Sequence, residues 1–361
     1  MIAKCEVLLY TSHMVNAITL ERMLENLIAK KVALDAYRPL PRALVSNLED
    51  WFRIELTYSS NAIEGNTLSR SETALVVEKG LTVSGKSLRE HLEAVNHAEA
   101  LDYLVSLARD VGRPITRHDI LALHSLVLRR IDDENAGRFR SIQVRIAGTE
   151  VVLPGPLQVP NMMDDFISWL NTRAPHGEQT ATFAADAHLK FVSIHPFVDG
   201  NGRLGRLLMN LILMRGGYPP GLIRKEDREE YIGAIETVQL SRVSGADDRY
   251  YRVIYKAVER SLDIYLEALA PHSRHQVVAT QPQVQARLLK IGELARQAEE
   301  SVSTIRYWTK EGLLDVASHT TGGYSLYDPM MVERAREIRR MQQERLTIAE
   351  IREALAARMA Q

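Results

Sequence analysis

The chain has 361 residues, of which 45% are hydrophobic and 25% are charged, which is typical of a globular protein with two domains or with one large and one small domain. Its formal net charge of −1 excludes a general basic field of the kind that binds nucleic acid nonspecifically. The only cysteine is Cys5, which excludes internal disulfides and a cysteine-ligated zinc site.

The N-terminal segment does not have the pattern of a signal peptide. Glu6 interrupts the apolar run soon after Lys4, and no small-residue cleavage site follows. No stretch approaches the roughly 18 uninterrupted apolar residues that indicate a transmembrane helix. We therefore expect a cytoplasmic protein with no membrane partner, and the single cysteine fits a reducing compartment.

Most of the chain is predicted to be helical. Apolar residues recur at spacings of three and four, the pattern of an amphipathic helix, over the segments 20–38, 45–58, 88–108, 117–130 and 161–171. Segments that contain proline, at 154–160 and 219–220, are predicted loops. The fold class that we predict is therefore all-α.

A short motif, Ser60-Asn61-Ala62-Ile63-Glu64-Gly65, follows the second of these segments. Ser60 and Glu64 are four residues apart, so they share a face if the segment is helical. Gly65 suits the position just after a helix end. The spacing alone indicates no more than a capped surface helix.

The best candidate for β-structure is the segment 142–153, Ile-Gln-Val-Arg-Ile-Ala-Gly-Thr-Glu-Val-Val-Leu. Its centre, at residues 147–149, suits a hairpin turn. We therefore expect a small β-hairpin between the helices.

The most informative stretch is 195–206, His-Pro-Phe-Val-Asp-Gly-Asn-Gly-Arg-Leu-Gly-Arg. A helical pattern leads into it, and Pro196 disfavours helix at the residue before it, so this helix is predicted to end near His195. The two glycines between Asp and Arg allow a tight loop whose backbone can approach a ligand closely. The next helix is predicted to begin near Arg203.

These residue types suit a nucleoside triphosphate. A loop that enters a helix N-terminus presents free N–H groups and the positive end of the helix dipole, which favour phosphate. Arg203 and Arg206 add cations there. Asp199 is a hard oxygen ligand of the kind that Mg²⁺ takes together with phosphates and water. His195 can act as a general base near neutral pH.

A rival interpretation is a dinucleotide-binding loop, because Gly200-x-Gly202-x-x-Gly205 matches that fingerprint. The fingerprint requires a strand before it and a βαβ unit around it, whereas the flanks here have a helical pattern. It also leaves His195 and Asp199 unexplained. We therefore favour the triphosphate site.

The pattern His-Pro-Phe-x-Asp-Gly-Asn-Gly-Arg-x-x-Arg is the signature of the Fic family, which this chain resembles over roughly 45–270. The resemblance extends to Gly-Arg-Phe-Arg at 137–140, to Arg-Gly-Gly-Tyr-Pro-Pro at 215–220 and to Tyr231. It implies an all-helical core with a β-hairpin flap at 142–153. It also implies transfer of AMP from ATP to a Ser, Thr or Tyr hydroxyl of a target protein or of the chain itself.

The resemblance assigns a role to each residue of the motif. His195 would deprotonate the target hydroxyl, and Asp199 would hold Mg²⁺. The flap would align the target segment by strand pairing. The phosphates of ATP would be held by the turn and by the following arginines, that is by Gly200, Asn201, Gly202, Arg203 and Arg206.

Fic proteins often carry Ser/Thr-x-x-x-Glu-Gly/Asn on an inhibitory helix, and the motif of Ser60 and Glu64 matches it, near residues 51–65. The resemblance implies that Glu64 pairs with Arg206 and so occupies the cation meant for the γ-phosphate. Activity would then be held low. In some relatives the same glutamate supports removal of AMP, so a de-AMPylase remains an alternative. A homodimer follows from the resemblance alone.

The domain organisation predicted from these patterns has four parts. An N-terminal helical extension covers 1–44 and the Fic domain covers 45–270. The composition then shifts to a linker at 271–286, which contains Pro-His-Ser at 271–273 and Thr-Gln-Pro-Gln at 280–283. A helical unit at 287–361 follows.

This last unit has the layout of a helix-turn-helix and resembles the MerR-type winged helix-turn-helix over about 287–356. The second helix of such a motif enters the DNA major groove, and its candidate contacts here are Ser303, Thr304, Arg306 and Tyr307. Residues 322–327 are a predicted wing, although Ser325 stands where such wings commonly carry arginine. The alternatives are a DNA-binding transcriptional regulator whose Fic core senses nucleotide, a module that recognises a protein target, and a unit that only packs on the core.

Overall fold

The computed structural model describes residues 20–172, 179–241, 248–273, 288–319, 325–343 and 350–351. The chain divides into two units, Met1–Gln276 and Val277–Gln361. Helix α10 of the first unit continues to Ser273. The first three residues of the predicted linker at 271–286 are therefore helical, and its remainder lies outside the described residues, as do residues 1–19 of the predicted extension over 1–44.

Helices form almost all of the regular structure in the described part of the first unit, which confirms the predicted fold class. Their bounds are α1 (20–35), α2 (Arg42–Ile63), α3 (Arg70–Lys79), α4 (Leu88–Arg109), α5 (Arg117–Leu128), α6 (Val159–Thr172), α7 (Thr180–Ile194), α8 (Asn201–Arg215), α9 (Arg228–Leu240) and α10 (Asp248–Ser273), with 3₁₀ turns at Pro156–Gln158 and Lys225–Asp227.

Each of the five predicted helical segments corresponds to a helix, although the predicted segments 20–38 and 117–130 extend past the helix ends at residues 35 and 128. Helices α3, α4 and α5 each begin with a capping box, in which the side-chain oxygen of the residue before the helix accepts the N–H of the third helical residue, and the carboxylate of that residue accepts the backbone N–H of the capping residue. The capping residues are Ser69, Ser87 and Thr116. Helix α6 begins inside the predicted loop 154–160, because Pro160 lies in the first turn, where its missing N–H costs nothing.

The pair α7 and α8 forms the centre of the first unit. Every residue of α8 from Arg203 to Leu213 is buried, so this part of the helix lacks the solvated face that a surface helix has. At the crossing of the two helices, a Cβ added to Gly205 would lie 2.9 Å from Val192 Cγ1. Glycine at this position therefore lets α8 approach α7 closely.

The predicted β-hairpin at 142–153 is wrong in one respect: the segment forms a turn at Ala147 and Gly148 but no strand pairing. Side chains take the place of a ladder. Arg140 donates to the carbonyls of Ile142 at 3.1 Å and Pro154 at 2.6 Å, and Gln143 Nε2 donates to Leu153 O at 3.2 Å. The flap is thus held at its base by two side chains, and its backbone edges are left unpaired.

The second unit is built on a small antiparallel sheet and short helices. The strands β1 (Leu289–Lys290), β2 (Ser318–His319) and β3 (Ser325–Tyr327) are arranged in the order β1-β3-β2. The helices are α11 (Ile291–Gln297), α12 (Val302–Lys310) and α13 (Met330–Gln343). The side chains of Leu294, Ile305, Trp308 and Ile338 are fully buried in its core.

Helices α11 and α12 are the predicted helix-turn-helix pair. The strands β2 and β3 pair antiparallel with Ser318 opposite Leu326, as expected of a wing, whose tip at 320–324 lies outside the described residues. Over the described ranges, no helix in either unit is long and apolar enough to cross a membrane.

Candidate active site

The turn between α7 and α8 and the first two turns of α8 contain the residues of the motif at 195–206. His195 follows the end of α7 in a left-handed conformation, with φ 51° and ψ 59°. Asn201 fixes the turn, because its Oδ1 accepts the N–H of Phe197 at 3.0 Å and its Nδ2 donates to the carbonyl of the same residue at 2.9 Å. The side chain of Asn201 therefore shapes the turn and does not point to a ligand. Gly200, with φ 80°, supplies the left-handed residue that starts α8.

His124 of α5 packs against this turn. Its ring stacks on Phe197 at 3.6 Å between centroids. Its Nδ1 accepts the N–H of Gly137 at 2.9 Å, so Nε2 carries the hydrogen and donates to Asp199 O at 3.0 Å. Burial lowers the pKa of His124 to about 4, which keeps it neutral. Sequence analysis missed it, because a lone histidine on an apolar helix gives no signal of its partners.

Arg140 holds the other side of the turn. Its Nε donates to His195 O at 2.8 Å, and its backbone N–H donates to Pro196 O at 2.9 Å. The same side chain binds both arms of the flap, so one buried arginine joins the flap to the turn. The sequence indicated residues 137–140 only as part of a family resemblance, without this role.

The His195 imidazole is electrostatically suited to accept a proton. Burial lowers its pKa below the usual 6.5; the Val192 carbonyl opposes this shift, the Arg140 cation adds to it, and the carboxylates of Glu64 and Asp199 oppose it. The net direction is downward, so the ring is neutral at pH 7. A neutral imidazole is the form that acts as a general base.

Arg203 presents unused hydrogen-bond donors at the start of α8. Its side chain is 3% exposed, and its Nη2 lies 3.3 Å from Asp199 Oδ1. The Nη1 atom is 3.6 Å from Glu93 Oε1, and neither Nε nor Nη1 makes a hydrogen bond. Since buried donors without partners cost about 1–3 kcal/mol, an anionic ligand is the natural partner for this guanidinium.

Asp199 remains ionised although it is partly buried. Burial raises its pKa, but the Arg203 cation, the Gly200 N–H and the Arg89 cation together hold the pKa below the usual value. No group of three or more His, Cys, Asp or Glu side chains in the described ranges is arranged to hold a metal ion by itself. A single carboxylate fits Mg²⁺ nonetheless, because that ion takes one or two carboxylates and fills its shell with phosphates and water.

The structure brings Glu64 and Arg206 together. Arg206 is 4% exposed. Its Nη2 donates to Glu64 Oε1 at 2.7 Å and to Ser60 O at 2.9 Å, and its Nε donates to Ser60 Oγ at 3.0 Å. Burial alone would lower the pKa of Arg206, but Glu64 and Tyr231 outweigh it and the pKa is raised. Residues 142 apart in the sequence therefore form one charged cluster.

The Glu64 carboxylate lies at the N-terminus of α8. A Cβ added to Gly202, in the first turn of that helix, would overlap Glu64 Oε1. This is where free N–H groups and the helix dipole favour a negative charge. Glu64 thus takes the place at which a phosphate of a ligand is expected.

A buried hydrogen-bond chain continues behind Arg206. Arg206 Nη1 lies 3.5 Å from Tyr231 OH, which is 2.7 Å from His188 Nε2. His188 Nδ1 is 2.8 Å from Tyr250 OH, which donates to Ala185 O at 2.9 Å. Since Tyr250 donates to that carbonyl, it accepts from Nδ1, and Nε2 must accept from Tyr231. Burial, with the Arg206 cation, lowers the pKa of His188 to about 3 and keeps it neutral.

Tyr231→Phe is expected to destabilise the first unit by about 1–3 kcal/mol, because His188 Nε2 becomes a buried acceptor without a donor and Arg206 loses a contact. Urea denaturation followed by circular dichroism measures the free energy of unfolding. Tyr103→Phe is the matched control, since Asp119 keeps its bonds to other donors. Equal losses of unfolding free energy in the two variants would contradict the proposed role of this hydrogen-bond chain.

The candidate DNA contacts lie on α12, but two of the four are already engaged. Ser301, the residue before α12, accepts the Thr304 N–H at 3.0 Å, and its Oγ lies 2.7 Å from the hydroxyls of both Ser303 and Thr304. Those hydroxyls belong to the helix cap. Arg306 and Tyr307 are exposed on the same helix.

Two family models match the chain. The Fic/DOC family matches residues 114–213, and the MerR HTH family regulatory protein model matches residues 289–358. The first match contains the α7–α8 turn and the second contains the helix-turn-helix pair.

The chain is also similar to curated proteins of the Fic family. The chain is 36% identical over 274 residues to the protein adenylyltransferase Fic of Drosophila willistoni and 42% identical over 210 residues to that of Nematostella vectensis. These alignments cover 75% and 58% of this chain but only 53% and 48% of the relatives. The chain thus spans about half the length of these relatives.

Solved structures match as well. A segment of Fic-1 from C. elegans superposes with a TM-score of 0.62 at 31% identity, over 75% of this chain and 78% of that one. A Fic domain containing signalling protein from Bacteroides thetaiotaomicron superposes with a TM-score of 0.61 at 28% identity, over 69% of this chain and 97% of that one.

Proposed function

The chain belongs to the Fic/DOC family, and from this membership and the geometry of the site we propose that it is a protein adenylyltransferase. It transfers AMP from ATP to a Ser, Thr or Tyr hydroxyl of a target protein or of itself. The observation that carries the proposal is the convergence of His195, Asp199, Arg203 and Arg206 on one turn and one helix N-terminus.

In the proposed reaction His195 accepts the proton of the target hydroxyl. The oxygen attacks the α-phosphorus of ATP, an O–P bond forms to the target, and the bond between the α- and β-phosphates breaks to release pyrophosphate. The lowered pKa of His195 keeps it in the accepting form at neutral pH. Arg140 orients the residue through its backbone carbonyl.

Phosphate binding is assigned to the start of α8. The backbone of Gly200, Asn201 and Gly202 surrounds the α-phosphate, and the unused donors of Arg203 bind phosphate oxygens. Asp199 is the proposed ligand of Mg²⁺, which would neutralise phosphate charge when bound. The flap at 142–153, whose edges are unpaired, aligns the target segment by backbone hydrogen bonds.

Glu64 is the proposed autoinhibitory residue, and Ser60 supports it. The Glu64 carboxylate accepts a hydrogen bond from Arg206 and lies at the N-terminus of α8. Glu64 and the terminal phosphate of ATP therefore compete for the Arg206 guanidinium. Two hydrogen bonds from Arg206 to Ser60 hold the guanidinium where the Glu64 carboxylate can bind it. From family membership alone, we also propose that Glu64 supports removal of AMP and that the chain forms a homodimer.

The test of the activity is label transfer from ATP labelled in different phosphates. Protein bands should retain label from α-labelled ATP and none from γ-labelled ATP, because only AMP is transferred. Label from both nucleotides, or from γ-labelled ATP alone, would indicate a different transferred group and refute the proposal.

In the pH profile of kcat/KM for AMP transfer, we expect the decline on the acidic side to be centred below pH 6.5. Because burial lowers the pKa of His195, the neutral base persists as the pH falls and is lost only when the pH passes the lowered pKa. The profile of kcat/KM for transfer measures this, and ATP affinity over the same pH range separates binding from proton transfer. A limb centred above pH 6.5 would contradict the assignment.

A second proposed function is DNA binding by the second unit, favoured by one observation. The four arginines of α13 are paired with acidic residues, at Arg334–Asp315, Arg336–Glu333, Arg339–Glu300 and Arg340–Glu337. Over the same described ranges Arg306 and Lys310 of α12 have no such partner. Binding to DNA from the chain's own promoter that weakens with salt would support it, whereas no binding at low salt would refute it.

A further inference from the structure

Arg89 of α4 reaches the α7–α8 turn from outside the family motif. Its Nη2 lies 3.1 Å from Asp199 Oδ2, and its Nε lies 3.2 Å from Glu93 Oε1. Glu93 is four residues further along α4, so it orients the arginine toward the turn. Arg89 is nevertheless 59% exposed, which leaves it free to turn into solvent.

The two oxygens of Asp199 are used differently. Oδ1 accepts the Gly200 N–H at 2.6 Å and lies 3.3 Å from Arg203 Nη2. Oδ2 is the oxygen left for another partner, and in this structure that partner is Arg89. A guanidinium at Oδ2 weakens the binding of a divalent cation to the same carboxylate, because the two cations compete for its charge and repel each other.

The ion pair between Arg89 and Asp199 contributes little to the stability of the turn. The turn is already fixed by the side chain of Asn201 and by His124. A half-exposed ion pair contributes about 0–1 kcal/mol. Arg89 also stands in the first turn of α4, where a positive charge is disfavoured by the helix dipole.

We propose that Arg89 gates the divalent-cation site. It occupies Asp199 Oδ2 while the site holds no nucleotide, and it moves off when a triphosphate brings its own negative charge. Metal and nucleotide therefore load together. Arg89 is a positioning residue in this scheme, which rests on the proposed function insofar as Asp199 is taken as the metal ligand.

The test is Mn²⁺ binding, measured from the free Mn²⁺ signal in electron paramagnetic resonance. In the nucleotide-free protein, Arg89→Ala should bind Mn²⁺ roughly two- to fivefold more tightly than the wild type, the range that an ion pair of this exposure provides. With ATP present, on a His195→Ala background that blocks transfer, the difference should shrink. Arg53→Ala, which removes an ion pair to Asp102 elsewhere, should match the wild type.

Two results would overturn the gate. One is an Arg89→Ala protein that binds Mn²⁺ no more tightly than the wild type without nucleotide. The other is an equal gain on an Asp199→Asn background, since the effect then does not act through that carboxylate. Arg89→Gln serves if the alanine variant does not fold. Because no transfer is measured, a failure of the gate is distinct from a failure of the proposed activity, which the labelled-ATP experiment reports.

Discussion

His195→Ala is expected to reduce AMP transfer by roughly 10²–10⁴-fold, the contribution of a positioned general base. The fold should survive, because His195 contributes to its surroundings through its backbone. Its N–H donates to Phe191 O and its carbonyl accepts from Arg140, and both bonds remain in alanine. The left-handed backbone costs alanine about 1 kcal/mol.

The measurement is the initial rate of label incorporation at saturating ATP, beside a thermal unfolding curve of each protein. His195→Asn is the matched control for the backbone, because asparagine tolerates the left-handed conformation. Both variants should lose transfer while ATP binding persists. Transfer at the wild-type rate by a folded His195→Ala protein would remove His195 from its proposed role.

Glu64→Gly is expected to raise AMP transfer by about tenfold. A hydrogen bond to a charged group contributes about 1.5–3 kcal/mol, and the lower part of that range applies because the Glu64 side chain is 39% exposed. Without the carboxylate, Arg206 and the N-terminus of α8 are available to phosphate. Glu64 stands just after the end of α2, so glycine there does not interrupt the helix.

The rate and the KM for ATP should be measured on purified proteins, so that no cellular activator is present. Glu64→Gln is the matched control, because it keeps the size of the side chain and removes its charge; it should raise transfer as well, by less if its amide still contacts Arg206. Equal transfer by wild type and both variants would show that the pair of Glu64 and Arg206 does not restrain the site.

The local part of the site was predictable from sequence, because its signals are local. Pro196 and the two glycines define the end of α7, the turn and the start of α8. The pairing of Glu64 with Arg206 was not predictable from spacing, since the two residues are 142 apart. It came from the family resemblance.

Contacts between distant segments account for what the sequence did not show. No pattern connects Arg89 or His124 to Asp199, because each lies on a different helix and the contact depends on tertiary packing. The prediction of a β-hairpin at 142–153 was wrong for another reason. The alternation of residue types in this segment predicted a hairpin, but Arg140 and Gln143 bind the carbonyls at its base and no ladder forms.

The most direct test combines the variants in one experiment. Purified wild type, Glu64→Gly and His195→Ala are each incubated with α-labelled ATP, Mg²⁺ and a cell lysate. The account predicts strong labelling of protein bands with Glu64→Gly, weak labelling with wild type and none with His195→Ala. The absence of label in all three samples, from folded proteins that bind ATP, would contradict it.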